Sequence, residues 1–117
     1  MTITIKGTLP GLNEYTRKNR AHWSKGAEDK RDTQDYILWQ LPKVKITKPV
    51  HITFTWIEPN KKRDKDNIAF AKKYILDAIV KAGILENDGR KQITGFEDKF
   101  EVDGENPRVE IELQEIS

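Results

Sequence analysis

The strongest pattern in the sequence is an apolar stripe between residues 66 and 82. Its members recur at steps of three and four residues, and they are Ile68, Ala71, Ile75, Ala78, Ile79 and Ala82. This spacing places side chains on one face of an α-helix. Gly83 follows directly, and glycine commonly ends helices because it accepts a left-handed backbone. We therefore predict an amphipathic helix over residues 66–82.

Three segments alternate apolar and polar residues with the period of a half-buried β-strand. They lie at residues 2–6, 50–57 and 109–114. A fourth strand is predicted around residues 91–102, after a turn at residues 87–89 and with a bulge at Gly95. The last two strands are expected to pair with each other across the loop at residues 103–107.

A first helix is predicted ahead of the strand at residues 50–57. It begins between Asn13 and Ser24 and ends before Pro42, because proline disfavours a helical backbone in the residue before it. The resulting order is β-α-β-α-β-β, which predicts an α+β fold with a mixed β-sheet packed against two main helices. At 117 residues and 13.6 kDa, the chain is expected to form a single domain over residues 1–117.

The composition argues against several classes of function. The sequence has no cysteine, which removes disulfides, thiolate metal sites and thiol nucleophiles. Its seven glycines form none of the glycine-rich patterns that bind nucleotide phosphates, so we expect no nucleotide cofactor. No apolar run approaches the roughly 20 residues of a membrane helix, and the alternating start of the chain is unlike a signal peptide. We therefore expect a soluble, cytoplasmic protein without a membrane partner.

The net charge of +2 is the sum of unequal regions. Residues 43–73 hold nine Lys or Arg and three Asp or Glu, a net charge of +6, whereas residues 97–117 have a net charge of −6. A central basic segment can attract phosphates. Charge alone favours the simpler interpretation that both regions are solvated faces.

Two carboxylates lie inside the basic region, in the run Lys61-Lys62-Arg63-Asp64-Lys65-Asp66-Asn67. Asp64 and Asp66 are separated by one residue where a loop leads into the predicted helix, and in an extended backbone such side chains point to the same side. Carboxylates suit Mg²⁺, which takes one or two such ligands and keeps waters for exchange with a substrate phosphate. A metal pocket in a basic surface is what hydrolysis of a phosphodiester requires. The alternative is that either aspartate simply caps the helix.

Two further residues could complete such a site. Lys73 lies seven positions after Asp66, on nearly the same face of a continuous helix, where its ammonium could stabilise charge on a phosphate. Its alternative role is an exposed lysine paired with Asp77. Asp88 would supply a carboxylate from a separate element, and its alternative role is to form an Asp-Gly turn.

These residues belong to a series of short motifs that spans nearly the whole chain. The series is Leu9-Pro10-Gly11-Leu12-Asn13-Glu14-Tyr15, Arg63-Asp64-Lys65-Asp66-Asn67, Lys73 with Asp77-Ala78-Ile79, Ala82-Gly83, Asn87-Asp88, and a closing strand at Arg108-Val109-Glu110-Ile111-Glu112-Leu113. In order and spacing the series resembles the RusA family of Holliday junction resolvases. Members of that family are small homodimeric Mg²⁺-dependent endonucleases.

The resemblance implies roles for particular residues. The three metal-binding aspartates of the family correspond to Asp64, Asp66 and Asp88, which would bind Mg²⁺, with Mn²⁺ as an alternative metal. The essential lysine of the family, four residues before the D-A-hydrophobic step, corresponds to Lys73. Lys72 stays a competing candidate because the interval from D-x-D-N is longer here than in the family pattern. The helical face favours Lys73, since Lys72 projects about 100° away.

The activity implied by the resemblance is the resolution of Holliday junctions in DNA recombination and repair. Two strands of like polarity in a four-way DNA junction would be hydrolysed, and a homodimer would supply the two equivalent sites. Basic side chains near the carboxylates would contact the DNA backbone. These candidates are Lys61, Lys62, Arg63, Lys65 and Lys72.

Two other classes of protein are the alternatives. One is a non-catalytic DNA-binding accessory module of recombination with the same fold, although a pure binder gains nothing from carboxylates that repel phosphate. The other is a protein-interaction domain that uses aromatic residues around the first helix as anchors. We expect those aromatic side chains to pack in the core or in the dimer instead. They are Tyr15, Trp23, Tyr36 and Trp39.

Overall fold

The computed structural model describes residues 1–11 and 23–116, and for residues 23–30 it describes the backbone alone. The elements in chain order are β1 (Thr2–Lys6), α1 (Trp23–Leu38), β2 (Val50–Glu58), α2 (Lys65–Ala69), α3 (Lys72–Lys81), β3 (Ile93–Val102) and β4 (Arg108–Glu115). The predicted α+β class and the order β-α-β-α-β-β are confirmed, with the second predicted helix divided into α2 and α3. The expected loop residue Asn13 and the aromatic Tyr15 lie outside the described residues.

The four strands form one mixed sheet in the order β1-β4-β2-β3. Strand β4 runs antiparallel to both β1 and β2, and β3 runs parallel to β2. The prediction that the last two strands pair with each other is therefore wrong, because β2 lies between them. The loop at residues 103–107 crosses the end of β2, where the Asp103 amide donates to the Glu58 carbonyl at 2.8 Å. The parallel pairing follows from α2 and α3, which carry the chain back before β3 begins.

The helices cover one face of the sheet and form a single core with it. Ile52, Phe54 and Trp56, which the alternation placed on one face of β2, are at most 1% exposed. Ile75 and Ile79 of α3 pack in the same core and are fully buried. The alternating strand and the periodic helix thus bury their apolar sides against each other, as their patterns predict.

The predicted helix over residues 66–82 is interrupted at Phe70 and Ala71. The Ala71 amide donates to Ile68 and the Lys73 amide to Phe70, which are the i to i−3 bonds of a tighter helical turn. Lys73 and Asp66 therefore do not lie on one face of a continuous helix, because they belong to two separate helices. The helix ends at Lys81, one residue before the predicted end, with Ala82 as its C-cap and Gly83 next at a φ of +80°.

The edge strand β3 contains a bulge close to the predicted position. Val50 pairs with Ile93 and His51 pairs with Gly95, so Thr94 lacks a partner in the register. The Thr94 hydroxyl instead donates to the Val50 carbonyl at 3.1 Å. The bulge lies beside Gly95 rather than at it.

Two of the aromatic residues around α1 do not pack in the core of the chain, so for them packing in a dimer stays a prediction, and the side chain of Trp23 lies outside the described part of the chain. Trp39 is 89% exposed and Tyr36 is 46% exposed. The Tyr36 hydroxyl donates to the Lys6 carbonyl at 2.6 Å, so this side chain lies along the end of β1. Among the described residues, none of the helices has both the length and the apolar character needed to cross a lipid bilayer.

Candidate active site

Asp64 and Asp66 lie where the chain enters α2, on the loop that follows β2. Asp64 is the N-cap residue and has an extended backbone, with φ −72° and ψ 154°, but its side chain makes no capping hydrogen bond. Capping therefore does not account for the Asp64 carboxylate. Asp66 lies in the first turn of α2, and its Oδ1 accepts the neighbouring Asn67 amide at 2.9 Å.

Both carboxylates line an open groove of about 640 Å³ between the start of α2 and the edge strand β3. Both residues are exposed, and neither forms an ion pair with a described residue. The Lys65 ammonium, which lies between them in sequence, is placed over the Phe100 ring at 5.6 Å from its centroid. The groove thus presents two carboxylates whose charge no lysine of this part of the chain neutralises.

Asp88 lies in a second carboxylate cluster, together with Asp77 of α3. The Lys73 ammonium bridges the two, at 3.2 Å from Asp77 Oδ1 and 3.4 Å from Asp88 Oδ2. The hydrogen bond to Asp77, with the charges of Asp77 and Asp88, raises the pKa of Lys73 above its ordinary value. Lys73 is therefore a protonated ammonium at neutral pH, held by two carboxylates.

The three aspartates do not form one assembled ligand set in this conformation. Within residues 1–11 and 23–116, no three His, Cys, Asp or Glu side chains lie close enough together to hold a metal ion. Asp64 and Asp66 on their own fit Mg²⁺, because that ion binds through one or two carboxylates and retains waters. Asp88 is instead in contact with the Lys73 ammonium, at 3.4 Å.

The sequence that contains these residues matches a known protein family. The sequence model of the family described as Endodeoxyribonuclease RusA matches residues 9–114, which include all three aspartates and Lys73. The chain belongs to the RusA endodeoxyribonuclease family. A search of curated protein sequences finds no match to the chain. DNA endonucleases hydrolyse phosphodiesters, so family membership relates the groove carboxylates to that reaction.

The basic residues expected to contact DNA divide into two groups in this RusA-family chain. Lys61, Lys62 and Lys65 are exposed. Lys72 is instead held by Asp98, at 2.7 Å from its Oδ2, and its ammonium lies near the rings of Phe54 and Phe96 at 5.3 and 4.9 Å. The cation–π geometry and the ion pair anchor α3 to β3.

Arg63 belongs to the second group, since its guanidinium is engaged within the chain. It forms a two-point contact with Glu58, from Nε to Oε1 at 2.8 Å and from Nη2 to Oε2 at 3.0 Å. It also donates from Nη1 to the Leu9 carbonyl at 3.0 Å. A phosphate that approached Arg63 would have to compete with these partners.

The residues that sequence reasoning missed are Glu58 and Asp98. Glu58 closes a strand and is only 8% exposed, which a charged residue before Pro59 does not suggest. Asp98 accepts from the Trp56 indole at 2.9 Å as well as from Lys72. Its position opposite Phe54 depends on the parallel register of β2 and β3, for which the sequence carries no local signal.

Proposed function

We propose that this protein is a Mg²⁺-dependent endonuclease that resolves Holliday junctions by paired, symmetric cleavage. The observation that carries the proposal is the groove in which Asp64 and Asp66 are exposed and form no ion pair with a described residue, in a chain of the RusA family. In this proposal the protein is cytoplasmic and serves DNA recombination and repair. The absence of cysteine fits a reducing compartment.

Asp64 and Asp66 would hold the metal, with Asp88 as the third ligand. When bound, Mg²⁺ supplies a Lewis acid that lowers the pKa of a water and stabilises the leaving oxygen of the phosphodiester. Before Asp88 can bind the metal, its 3.4 Å contact with Lys73 has to open. That opening releases the Lys73 ammonium from one of its two carboxylates, while Asp77 still holds it at 3.2 Å, so assembly of the ligands and a turn of the ammonium towards the phosphate would be coupled.

The exposed lysines near the groove would hold the DNA through its phosphates. The exposed lysines are Lys61, Lys62 and Lys65. They supply positive charge but do not recognise particular bases, so their contribution to affinity depends on salt concentration and not on DNA sequence. A homodimer would place two equivalent grooves about a two-fold axis, which matches the pseudo-symmetry of a four-way junction. One chain with one groove would cut only one strand at a time.

The experiment that tests the proposal is a cleavage assay on a synthetic four-way junction, a linear duplex and a flap of matched sequence. We expect cleavage of the junction in Mg²⁺ or Mn²⁺ at paired positions on strands of like polarity, and none in EDTA. Equal cleavage of all three DNAs would reduce the function to a nuclease without junction selectivity. Junction binding without cleavage in either metal would favour the non-catalytic accessory module instead.

A further inference from the structure

We propose that Asn67 is a positioning residue whose buried side chain, held against Gly11, sets the direction of the Asp66 carboxylate. The inference rests on the proposed function in one respect, which is that Asp66 is a metal ligand. It adds a requirement that the sequence motifs do not reveal, because it makes tight metal binding depend on a glycine at position 11.

One backbone amide orients the Asp66 carboxylate. Oδ1 of Asp66 accepts a hydrogen bond from the Asn67 amide at 2.9 Å. This bond fixes one oxygen of the carboxylate and restricts the directions in which the other can offer its lone pairs to a cation in the groove. The position of the Asn67 amide therefore determines how Asp66 is presented.

The helix that carries this amide depends on tertiary contacts for its position. Helix α2 runs from Lys65 to Ala69, which is little more than one turn. A helix of this length is unstable in water on its own, so packing has to hold it. Its two buried residues are Asn67, which is 8% exposed, and Ile68. These two side chains are the anchors of α2.

The Asn67 anchor lies against Gly11. A Cβ at Gly11 would be 2.5 Å from Asn67 Oδ1, 2.7 Å from its carbonyl oxygen and 2.9 Å from its Cγ, all well inside van der Waals contact. The glycine is needed for space alone. Among the described residues, a positive φ occurs at Gly7 and Gly83 but not at Gly11, so alanine suits the backbone of residue 11.

Burial gives the Asn67 side chain a defined orientation. A carboxamide that is removed from water has to be hydrogen-bonded. Within the described residues, no buried side-chain nitrogen or oxygen atom lacks a hydrogen-bond partner. If residue 11 were pushed away, Asn67 would lose its packing on that side and α2 would be free to rotate. The Asp66 carboxylate would then turn with the helix.

The same contact argues against Asn67 as a metal ligand. Its carboxamide oxygen lies beside Gly11 and its side chain is buried, whereas Asp64 and Asp66 are exposed. The two aspartates line the groove, and Asn67 does not. Asn67 therefore acts through Asp66.

The test uses Gly11→Ala, Asn67→Ala and the double variant that combines them. Gly104→Ala is the matched control, because a Cβ at Gly104 would be 3.4 Å from the Pro59 carbonyl oxygen, which is an ordinary contact. Ile79→Val is a second control, which loses packing at a fully buried position of the core. Three quantities are measured for each protein. These are Mn²⁺ affinity without DNA by electron paramagnetic resonance, stability by urea unfolding, and the rate of junction cleavage over a range of Mg²⁺ concentrations.

We expect Gly11→Ala and Asn67→Ala each to lower Mn²⁺ affinity by roughly 10- to 100-fold, as the loss of a group that orients a metal ligand does. The double variant should bind Mn²⁺ no more weakly than the weaker of the two single variants, because both changes break one contact. The cleavage rate should fall at low Mg²⁺ and recover as Mg²⁺ is raised. Gly104→Ala and Ile79→Val should keep the wild-type Mn²⁺ affinity.

Three results would overturn the inference. Wild-type Mn²⁺ affinity in folded Gly11→Ala would show that the contact does not position Asp66, and losses that multiply in the double variant would show that the two residues act independently. A loss of Mn²⁺ affinity that Ile79→Val reproduces at equal stability would reduce Asn67 to a part of the fold. Should one single variant fail to fold, the Mn²⁺ affinity of the other decides the outcome.

Failure of the proposed function gives a different result. If Asp66→Asn leaves Mn²⁺ affinity unchanged, then the metal role of Asp66 is wrong and the inference is overturned with it. If Asp66→Asn abolishes Mn²⁺ binding while Gly11→Ala keeps the wild-type affinity, only the inference fails. The Mn²⁺ measurement needs no DNA, so it separates the two independently of junction cleavage.

Discussion

The two carboxylate clusters of this protein differ in whether a lysine neutralises their negative charge. Asp64 and Asp66 are exposed in the groove beside β3 and form no ion pair within the described part of the chain. Asp77 and Asp88 share the ammonium of Lys73 at 3.2 and 3.4 Å. The residue type is the same, but the first cluster is open to a cation and the second already holds one.

Under the proposed function, this difference implies an order of events at the site. A divalent ion would bind Asp64 and Asp66 without displacing a cation of the described part of the chain. If Asp88 is the third ligand, Lys73 has to give up its contact with Asp88, and its contact with Asp77 would then keep the ammonium near the site.

The largest effect is expected from the open cluster. Asp66→Asn and Asp64→Asn should each lower kcat on a junction by about 1,000-fold, since the metal supplies several kcal/mol of transition-state stabilisation. Junction binding in EDTA should not weaken, because a negative charge is removed. Asp32→Asn, an exposed carboxylate on α1, is the control. Cleavage that survives Asp66→Asn would exclude the metal role of the groove.

The second cluster is tested by comparing its two aspartates. Substitution of either aspartate removes an ion pair with the Lys73 ammonium, but only Asp88 is among the metal ligands that the family resemblance implies. We expect Asp88→Asn to lower kcat by about 100-fold and Asp77→Asn by no more than a few-fold. Single-turnover cleavage of a labelled junction measures both. Equal effects would show that Asp88 acts through Lys73 and not as a ligand.

The adjacent lysines give a third comparison. Lys73→Met should lower kcat by roughly 10- to 100-fold, because a charge near the phosphate is lost. Lys72→Met should instead lower the free energy of unfolding by about 1 kcal/mol, from the loss of the Asp98 ion pair and the ring contacts. Urea unfolding and kcat, measured for both variants, separate the roles. If Lys72→Met lowers kcat and Lys73→Met keeps the wild-type kcat, then Lys72 is the essential lysine and Lys73 is not.

A smaller effect is expected from the exposed lysines that precede the carboxylates. Lys61→Ala and Lys62→Ala should each reduce the slope of log affinity against log salt by about 1, as the loss of one phosphate contact does. Anisotropy titrations of a junction in EDTA, between low and moderate salt, measure the slope. Lys45→Ala serves as the control, since this exposed lysine lies beside Glu112 and away from the groove. An unchanged slope in both variants would place the DNA elsewhere.

The smallest effect concerns the pH dependence of stability. The folded-state pKa of Lys73 is raised above its ordinary value of 10.5 by Asp77 and Asp88. Its contribution to stability is therefore complete below pH 10.5 and is lost as pH rises through the raised value. The difference in Tm between wild type and Lys73→Met should be constant around neutral pH and, on the alkaline side, should disappear only in strong alkali. A difference that already disappears near neutral pH would contradict the bridging contact.

Local sequence patterns predicted the elements well because their causes are local. The apolar stripe at residues 66–82 and the alternation in β1, β2 and β4 follow from the periods of helix and strand. The break at Phe70 and Ala71 was not predictable, since both residues fit a continuous helix by type. The candidate aspartates were found because their spacing and their basic surroundings are visible in one short run of sequence.

Patterns in the sequence were enough to establish the α+β class, the order of the elements and the position of the D-x-D-N run. Tertiary structure alone decided that β4 lies beside β2 and not β3, because a short loop can turn back as a hairpin or cross the end of a buried strand. It also decided that Lys72 meets Asp98 while Lys73 meets Asp88, and that Arg63 is held by Glu58. Partners that are distant in sequence depend on strand register and burial, which no local pattern encodes.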